Sequence, residues 1–310
     1  SITISCDAKI SNLEFKSLQA SSITSGPLTI ASGVEVEAEY VKVTDCTNNK
    51  GNGGGIYNAG TLTLTNCTVS DCKAIYENSV PTSGRGGGIY SATGSDLTVE
   101  ESTINNNEAT VGGGIYTEST AQMIDSIVKN NTANSSNGGM GGGIYIGATG
   151  NFTMSGNSNV TENTAGANTN NASSYGGGIM CTGTMTMSGG EITSNKALAS
   201  GVSTTNYFSF GGGISLYPLS APGSFTMTGG TISNNEADYG GGISDQGLSL
   251  VLSGGTIGGT SYATGNKSSN GGGLYIGTLS AVSSTPPYQI NGCNIKYNTS
   301  SRLGGGIALE

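Results

Sequence analysis

The sequence predicts an all-β chain wound as a right-handed, single-stranded parallel β-helix of nine or ten rungs. Three observations predict it. Three glycines followed by Ile or Leu recur nine times, at intervals of 26 to 35 residues, and hold 27 of the 54 glycines. Between them an Ile/Val-x-x-Asn motif recurs, often followed by x-Ala. Ahead of each such motif stands a short run in which apolar residues alternate with polar ones. A repeat of about 30 residues cannot bury its own apolar face, whereas stacked neighbours can.

The apolar residues that follow the glycines are Ile56, Ile89, Ile115, Ile144, Ile179, Ile214, Ile243, Leu274 and Ile307. Glycine permits positive φ and close backbone approach at a bend repeated on every rung. The alternating runs include Leu62/Leu64, Leu97/Val99, Met185/Met187, Phe225/Met227 and Leu250/Leu252. A period of two marks a strand with one buried face. Clear copies of the next motif run from Ile104 to Asn107, Val128 to Asn131, Val160 to Asn163, Ile192 to Asn195, Ile232 to Asn235 and Ile295 to Asn298. Stacked rungs turn these asparagines into a ladder at a bend, each amide bonding its neighbour or local backbone. Each repeat thus reads as three short strands and three bends. At a strand spacing of 4.8 Å the rod is roughly 45 Å long.

Two earlier copies carry Cys46 and Cys72 in place of Asn, one repeat apart. Stacking brings them within disulfide range, but stacked side chains rarely supply the required dihedral, so free thiols are expected. Cys67 and Cys293 fall in a column otherwise filled by Ser and Gly, where cysteine is a small buried residue.

The paired motifs, Gly53-Gly54-Gly55-Ile56 with its eight relatives and Ile232-Ser233-Asn234-Asn235 with its own, resemble the repeats of the chlamydial polymorphic outer membrane proteins, written GGA(I/L/V) and FxxN. The similarity covers roughly residues 34 to 308, with Gly where Ala is typical and Ile or Val where Phe is typical. The resemblance implies a right-handed β-helix, export to the cell surface or outside the cell, and an adhesive role. It carries over no catalytic residues.

The expected organisation is one β-helix domain over 1–308, with 1–33 an atypical N-terminal rung or cap, and 309–310 vector-derived. The chain reads as a segment of a larger bacterial protein, tied to a membrane only through flanking regions.

Composition narrows the function. Histidine is absent, charged residues are 10% and net charge is −9. A Ser-His-Asp triad is impossible without imidazole, and phosphate recognition needs basic patches that an acidic chain lacks, so no nucleic-acid partner is expected. No cofactor or metal is expected: a zinc site would need four clustered thiolates, and the six cysteines are scattered. Glu35/Glu37/Glu39 and Glu100-Glu101 are the nearest to a carboxylate site, and read more simply as solvated edge charges. The chain is therefore expected not to be an enzyme. A β-helix polysaccharide lyase or glycoside hydrolase is one alternative and a passive stalk another.

Candidate binding residues come from two patterns. The residue after Gly-Gly-Gly-Ile/Leu is Tyr57, Tyr90, Tyr116 and Tyr145 in four consecutive repeats, and Tyr275 later. Alternation turns these rings out of the coil. There they form either a stack that receives a sugar or protein ligand, or one that shields the sheet beneath loops. Insertions between the Asn column and the next glycines, at 73–85, 132–140, 164–175 and 196–210, thicken one edge. Solenoid insertions gather on one face, often the binding face. They carry Tyr175, Tyr207, Phe208 and Phe210. The expected partner is an extracellular glycan or protein receptor. The outward threonine columns resemble ice-binding faces, but strand propensity alone accounts for them.

Overall fold

The computed structural model describes residues 1–76, 83–167, 172–199, 207–218, 223–277 and 288–310. Strands alternate with bends throughout these residues, without a helix. Every strand pairing is parallel and joins one repeat to the next. Among the described residues three continuous sheets of eleven, ten and ten strands run along a coil. These are ten complete turns and the opening strand of an eleventh.

The first face carries the strand that follows the glycines, such as Ile115–Thr117, which pairs with Ile144–Ile146. Its inward isoleucines from Ile56 to Ile243 are at most 1% exposed. Burying each contributes roughly 1.5–3 kcal/mol. The second face carries the alternating runs, as in Thr61–Thr65 against Asp96–Glu100, with Leu62 and Leu64 buried over Leu97 and Val99. The third carries Ile/Val of the asparagine motif, as in Thr103–Asn105 beside Ile127–Lys129. The columns meet in one apolar core.

A fourth ladder corrects the expected count of three strands per repeat. The two residues after the Asn column pair between rungs, as Lys73–Ala74, Glu108–Ala109 and the start of Thr132–Ser135 do. The recurring alanine explains them. Ala74, Ala109, Ala133, Ala165 and Ala197 point inward and are buried where the coil narrows toward the glycines, and Asn48 fills the same column in the second coil.

The glycine triplet closes the turn, and its three members answer different demands. Gly112 has φ +64°, in the region L side chains avoid. A Cβ on Gly113 would collide with the Gly142 carbonyl of the next rung and the backbone of Thr132. One on Gly114 would lie 2.8 Å from the Gly143 carbonyl and 3.0 Å from the Asn131 amide.

The asparagine ladder forms as expected, from Asn107 to Asn298. Small residues line the preceding bend, where the backbone N–H of Cys67 donates to the Ser102 hydroxyl (2.8 Å) and that of Ser102 to Ser126 (3.0 Å). Cys46 and Cys72 are free thiols in the Asn column. Cys72 is held protonated by the Cys46 thiol beside it and by burial.

The first coil, with strands Ile2–Ile4, Ala8–Ser11, Glu14–Lys16 and Gln19–Ala20, pairs in register with the second without a glycine triplet.

Candidate functional site

The insertions leave each coil between the fourth ladder and the glycines, so they fall along one edge. Parts of them, 77–82, 168–171 and 200–206, lie outside the described residues. The rest defines an aromatic ribbon and a groove.

The first-face tyrosines stack in one column. Ring centroids lie 5.1 Å apart for Tyr57–Tyr90, 5.2 Å for Tyr90–Tyr116 and 4.9 Å for Tyr116–Tyr145. The rings point out of the coil, as alternation requires, yet Tyr116 and Tyr145 are only 3% and 7% exposed. Val111, Met140, Tyr175 and Tyr217 pack against them, with Met180. The Arg85 guanidinium lies 5.1 Å over the Tyr116 ring and donates to its hydroxyl at 3.2 Å. That hydroxyl in turn donates to the Glu118 carboxylate. Burial raises the phenol pKa of Tyr57, Tyr90, Tyr116 and Tyr145, so all four stay neutral. Tyr57 and Tyr90 remain half-buried at the N-terminal end of the column.

A second column consists of the residue just before each glycine triplet. Arg85, Val111, Met140, Tyr175, Phe210, Tyr239 and Asn270 pair rung to rung. Tyr175–Phe210 and Phe210–Tyr239 both stack at 5.2 Å. The two columns divide the volume between them. Where the first face carries Tyr90, Tyr116 and Tyr145, the outer column carries Arg85, Val111 and Met140. Where the first face shrinks to Ser215 and Ser244, the outer column carries Phe210 and Tyr239. Tyr239 meets Tyr275 edge-on at 4.9 Å, returning the ribbon to the first face.

Of the candidate residues, Tyr57, Tyr90, Tyr116 and Tyr145 come together in one stack, and Tyr175 and Phe210 in the other. Phe208 sits edge-on to Tyr239 at 5.1 Å, and Tyr207 is 44% exposed beside it. Sequence reasoning did not single out Tyr239, Tyr217, Met140 or Met180. The position directly before each triplet was the signal that would have found the first and third.

The groove lies where the long insertion after Asn195 steps down to the short connections of the next two rungs. It encloses about 340 Å³ and is lined by Leu198, Ser209, Glu236, Asp238, Lys267 and Ser268, among others. Leu198 is 46% exposed at its mouth. Glu236 pairs with Lys196 at 3.3 Å. The Asp238 carboxylate accepts from the Ser209 N–H and hydroxyl, both at 2.9 Å. Both carboxylates thus already have partners.

The other acidic candidates stand apart from this edge. Glu35, Glu37 and Glu39 are exposed on the second face, where Glu37 pairs with Lys9 at 2.7 Å. Glu101 occupies a bend at φ +46°. Among the described residues no group of three or more side chains is placed to hold a metal ion.

Parallel rungs with a glycine bend, an asparagine ladder and a closed apolar core are matched by one family model, the right handed beta helix region, over residues 1–174. The chain belongs to the right-handed β-helix family. That family includes adhesins, pectate lyases and glycosidases, so membership fixes the architecture of this β-helix and leaves its activity to its sites. No curated protein matches the chain, and no solved structure does.

Proposed function

We propose that this β-helix is a non-catalytic, adhesin-like protein that binds an extracellular glycan or protein along its loop edge. One observation carries the reading. The insertion after Asn195 borders a groove of about 340 Å³ that combines exposed Leu198 with charged and hydroxyl side chains, and the same insertion carries Tyr207, 44% exposed. An amphipathic rim of this kind suits recognition, because aromatic rings supply contact area and fixed polar groups supply orientation. The ribbon behind it keeps the edge rigid, which lowers the ordering cost of binding. A bacterial cell-surface or secreted setting follows from the resemblance of the repeats.

A hydrolase needs one free carboxylate and a second poised as an acid. In the groove, Glu236 is ion-paired and Asp238 is hydrogen-bonded, which favours binding over cleavage. The test is a glycan array and a panel of matrix proteins probed with the chain, with Tyr207→Ala and Lys267→Gln variants. Retention of a glycan or matrix protein that both variants weaken supports the reading. A retained polysaccharide that shortens with time would replace it with an enzyme. Absence of any ligand would replace it with a stalk.

A further inference from the structure

One corner earlier in the coil, between the third face and the fourth ladder, stands a feature separate from the loop edge. In most rungs this bend is a single residue with positive φ, such as Asn106 (φ 56°), Asn130 (φ 53°) or Asn234 (φ 54°). Asparagine tolerates that conformation. In the ninth rung the bend is expanded by residues 259–264, while Asn266 keeps its place in the ladder. The expansion is a tight turn tied by Thr264, whose hydroxyl accepts from the N–H groups of Thr260 (3.1 Å) and Ser261 (3.2 Å). Glycines press it onto the tenth rung. A Cβ at Gly258 would collide with the Lys296 carbonyl, and one at Gly265 with the Tyr297 carbonyl.

This turn delivers Tyr262 to Tyr297. The rings meet at 89° with centroids 5.4 Å apart. Both are open to solvent, Tyr262 at 66% and Tyr297 at 41%. The Lys296 ammonium lies 5.9 Å from the Tyr297 centroid. Tyr297 holds φ 57° at the position where other rungs use Asn, Asp, Ser or, at Glu162, Glu. Among the described bends of this corner it is the one aromatic side chain, and strain of this kind gathers at functional sites.

We propose that Tyr262, Tyr297 and Lys296 form a binding site for a single carboxylated sugar unit. The ring face of Tyr262 offers a platform for the C–H face of a pyranose, and Tyr297 walls it at a right angle. The exposed hydroxyls of Thr260 and Ser261 rim the platform and suit sugar hydroxyls. Lys296 supplies the only formal charge in the group, and its ammonium suits a carboxylate. The patch is far smaller than the ~800 Å² per partner of a stable protein interface, which favours a small ligand. The site does not depend on the loop-edge reading.

The experiment is titration of the intact chain with glucuronate, galacturonate and sialyllactose, followed by NMR or calorimetry, with lactose as the uncharged control. At least one acidic sugar should bind and lactose should bind more weakly. Tyr262→Ala should weaken the acidic sugar about fivefold to tenfold, the worth of a stacking contact. Lys296→Gln should erase the preference over lactose. Tyr297→Asn should lose binding while melting no lower than the parent, because Asn relieves the strained φ. Tyr207→Ala, on the loop edge, should leave this binding unchanged. The proposal is overturned if none of the acidic sugars binds, if Tyr262→Ala binds as the parent does, or if Tyr297→Asn melts several degrees lower, which would make the pair a packing device.

Discussion

The side-chain amide of Asn131 donates to Oδ1 of Asn163 at 3.0 Å, and the backbone N–H of Asn131 reaches the same oxygen at 2.9 Å. The second amide hydrogen goes to the Ile104 carbonyl of the rung behind, at 3.0 Å. Each interior asparagine therefore has both donors and both lone pairs satisfied while fully buried. No other side chain of this size offers two donors and two acceptors in that arrangement.

The first prediction follows from that saturation. Asn163→Ala orphans the N–H and amide of Asn131 and takes one donor each from the Val128 carbonyl and the Asn195 oxygen, the latter keeping the backbone N–H of residue 163. At 1–3 kcal/mol for each buried group left unpaired, partly relieved by relaxation, the loss should reach about 3–5 kcal/mol. Asn107→Ala, at the start of the ladder, orphans the Cys72 N–H alone in place of two donors and should cost clearly less. Denaturant titration of both variants measures the difference. Equal losses would mean that the ladder does not act through its buried pairs.

The ladder was legible in the sequence because one letter recurs once per coil in one environment. The same is true of the glycine triplets and of the isoleucines from Ile56 to Ile243. The fourth ladder was not legible, since Lys73–Ala74 is too short to show a period of two. The outer aromatic column was hidden for a different reason. Arg85, Val111, Met140, Tyr175, Phe210 and Tyr239 share no letter and no polarity. What they share is a place beside the first-face residue of the same rung, with volumes that complement each other at Val111/Tyr116, Phe210/Ser215 and Tyr239/Ser244, and that relation exists only once the coil is closed. The burial of Tyr116 and Tyr145 follows from the same cover, so alternation gave their direction but not their exposure.

Glycine substitutions should separate space from conformation. Gly142→Ala would drive a Cβ into the Gly177 carbonyl and the backbone of Thr164, neither of which can move without breaking rung pairing. It should destabilise the coil by more than 3 kcal/mol, beyond a typical single substitution. Gly94→Ala is the converse case: Gly94 sits at positive φ (80°), as Gly142 does not, and a Cβ there meets nothing within 4 Å. It should cost only the conformational penalty, about 1–2 kcal/mol. Thermal melts of the two variants would sink this reading if their order were reversed.

The cover over Tyr116 predicts how Arg85 can be replaced. Its guanidinium contributes one hydrogen bond and a cation–π contact at 5.1 Å, while its stem covers apolar surface. Arg85→Ala should cost about 1–2 kcal/mol. Arg85→Met should cost less, because two rungs on, Met140 already fills the same column. Melting curves rank the variants, and the tyrosine band in near-ultraviolet circular dichroism reports the stack directly. A methionine variant as unstable as the alanine one would show that charge rather than cover holds the ring.

Asp245 gives the chain a pH dependence of defined sign. It stands on the first face below Leu216, fully buried. One oxygen accepts from the N–H groups of Gly247 (3.0 Å) and Leu248 (2.9 Å), and the other has no partner. Burial pushes its pKa from 3.8 to about 6, against the pull of those two N–H groups. The nearby Tyr288 and Cys181 are themselves pushed up to about 12, chiefly by burial, and stay neutral. Because the folded pKa lies above the unfolded one, the protonated acid favours the folded state. That contribution is complete below about pH 3.8, declines as pH rises, and is gone above about pH 6, a loss of about 3 kcal/mol. Asn58, in the same column, shows what a neutral amide does there. Its oxygen accepts from the Gly60 N–H at 3.1 Å, and its amide donates to the Asp96 carbonyl at 2.8 Å. Asp245→Asn should therefore stabilise the coil, by about 2 kcal/mol more at pH 7.5 than at pH 4. Denaturant unfolding of parent and variant at the two pH values isolates the group, since the exposed ion pairs are common to both. A stability difference that does not change with pH would show that Asp245 ionises in the ordinary range and that its free oxygen is solvated.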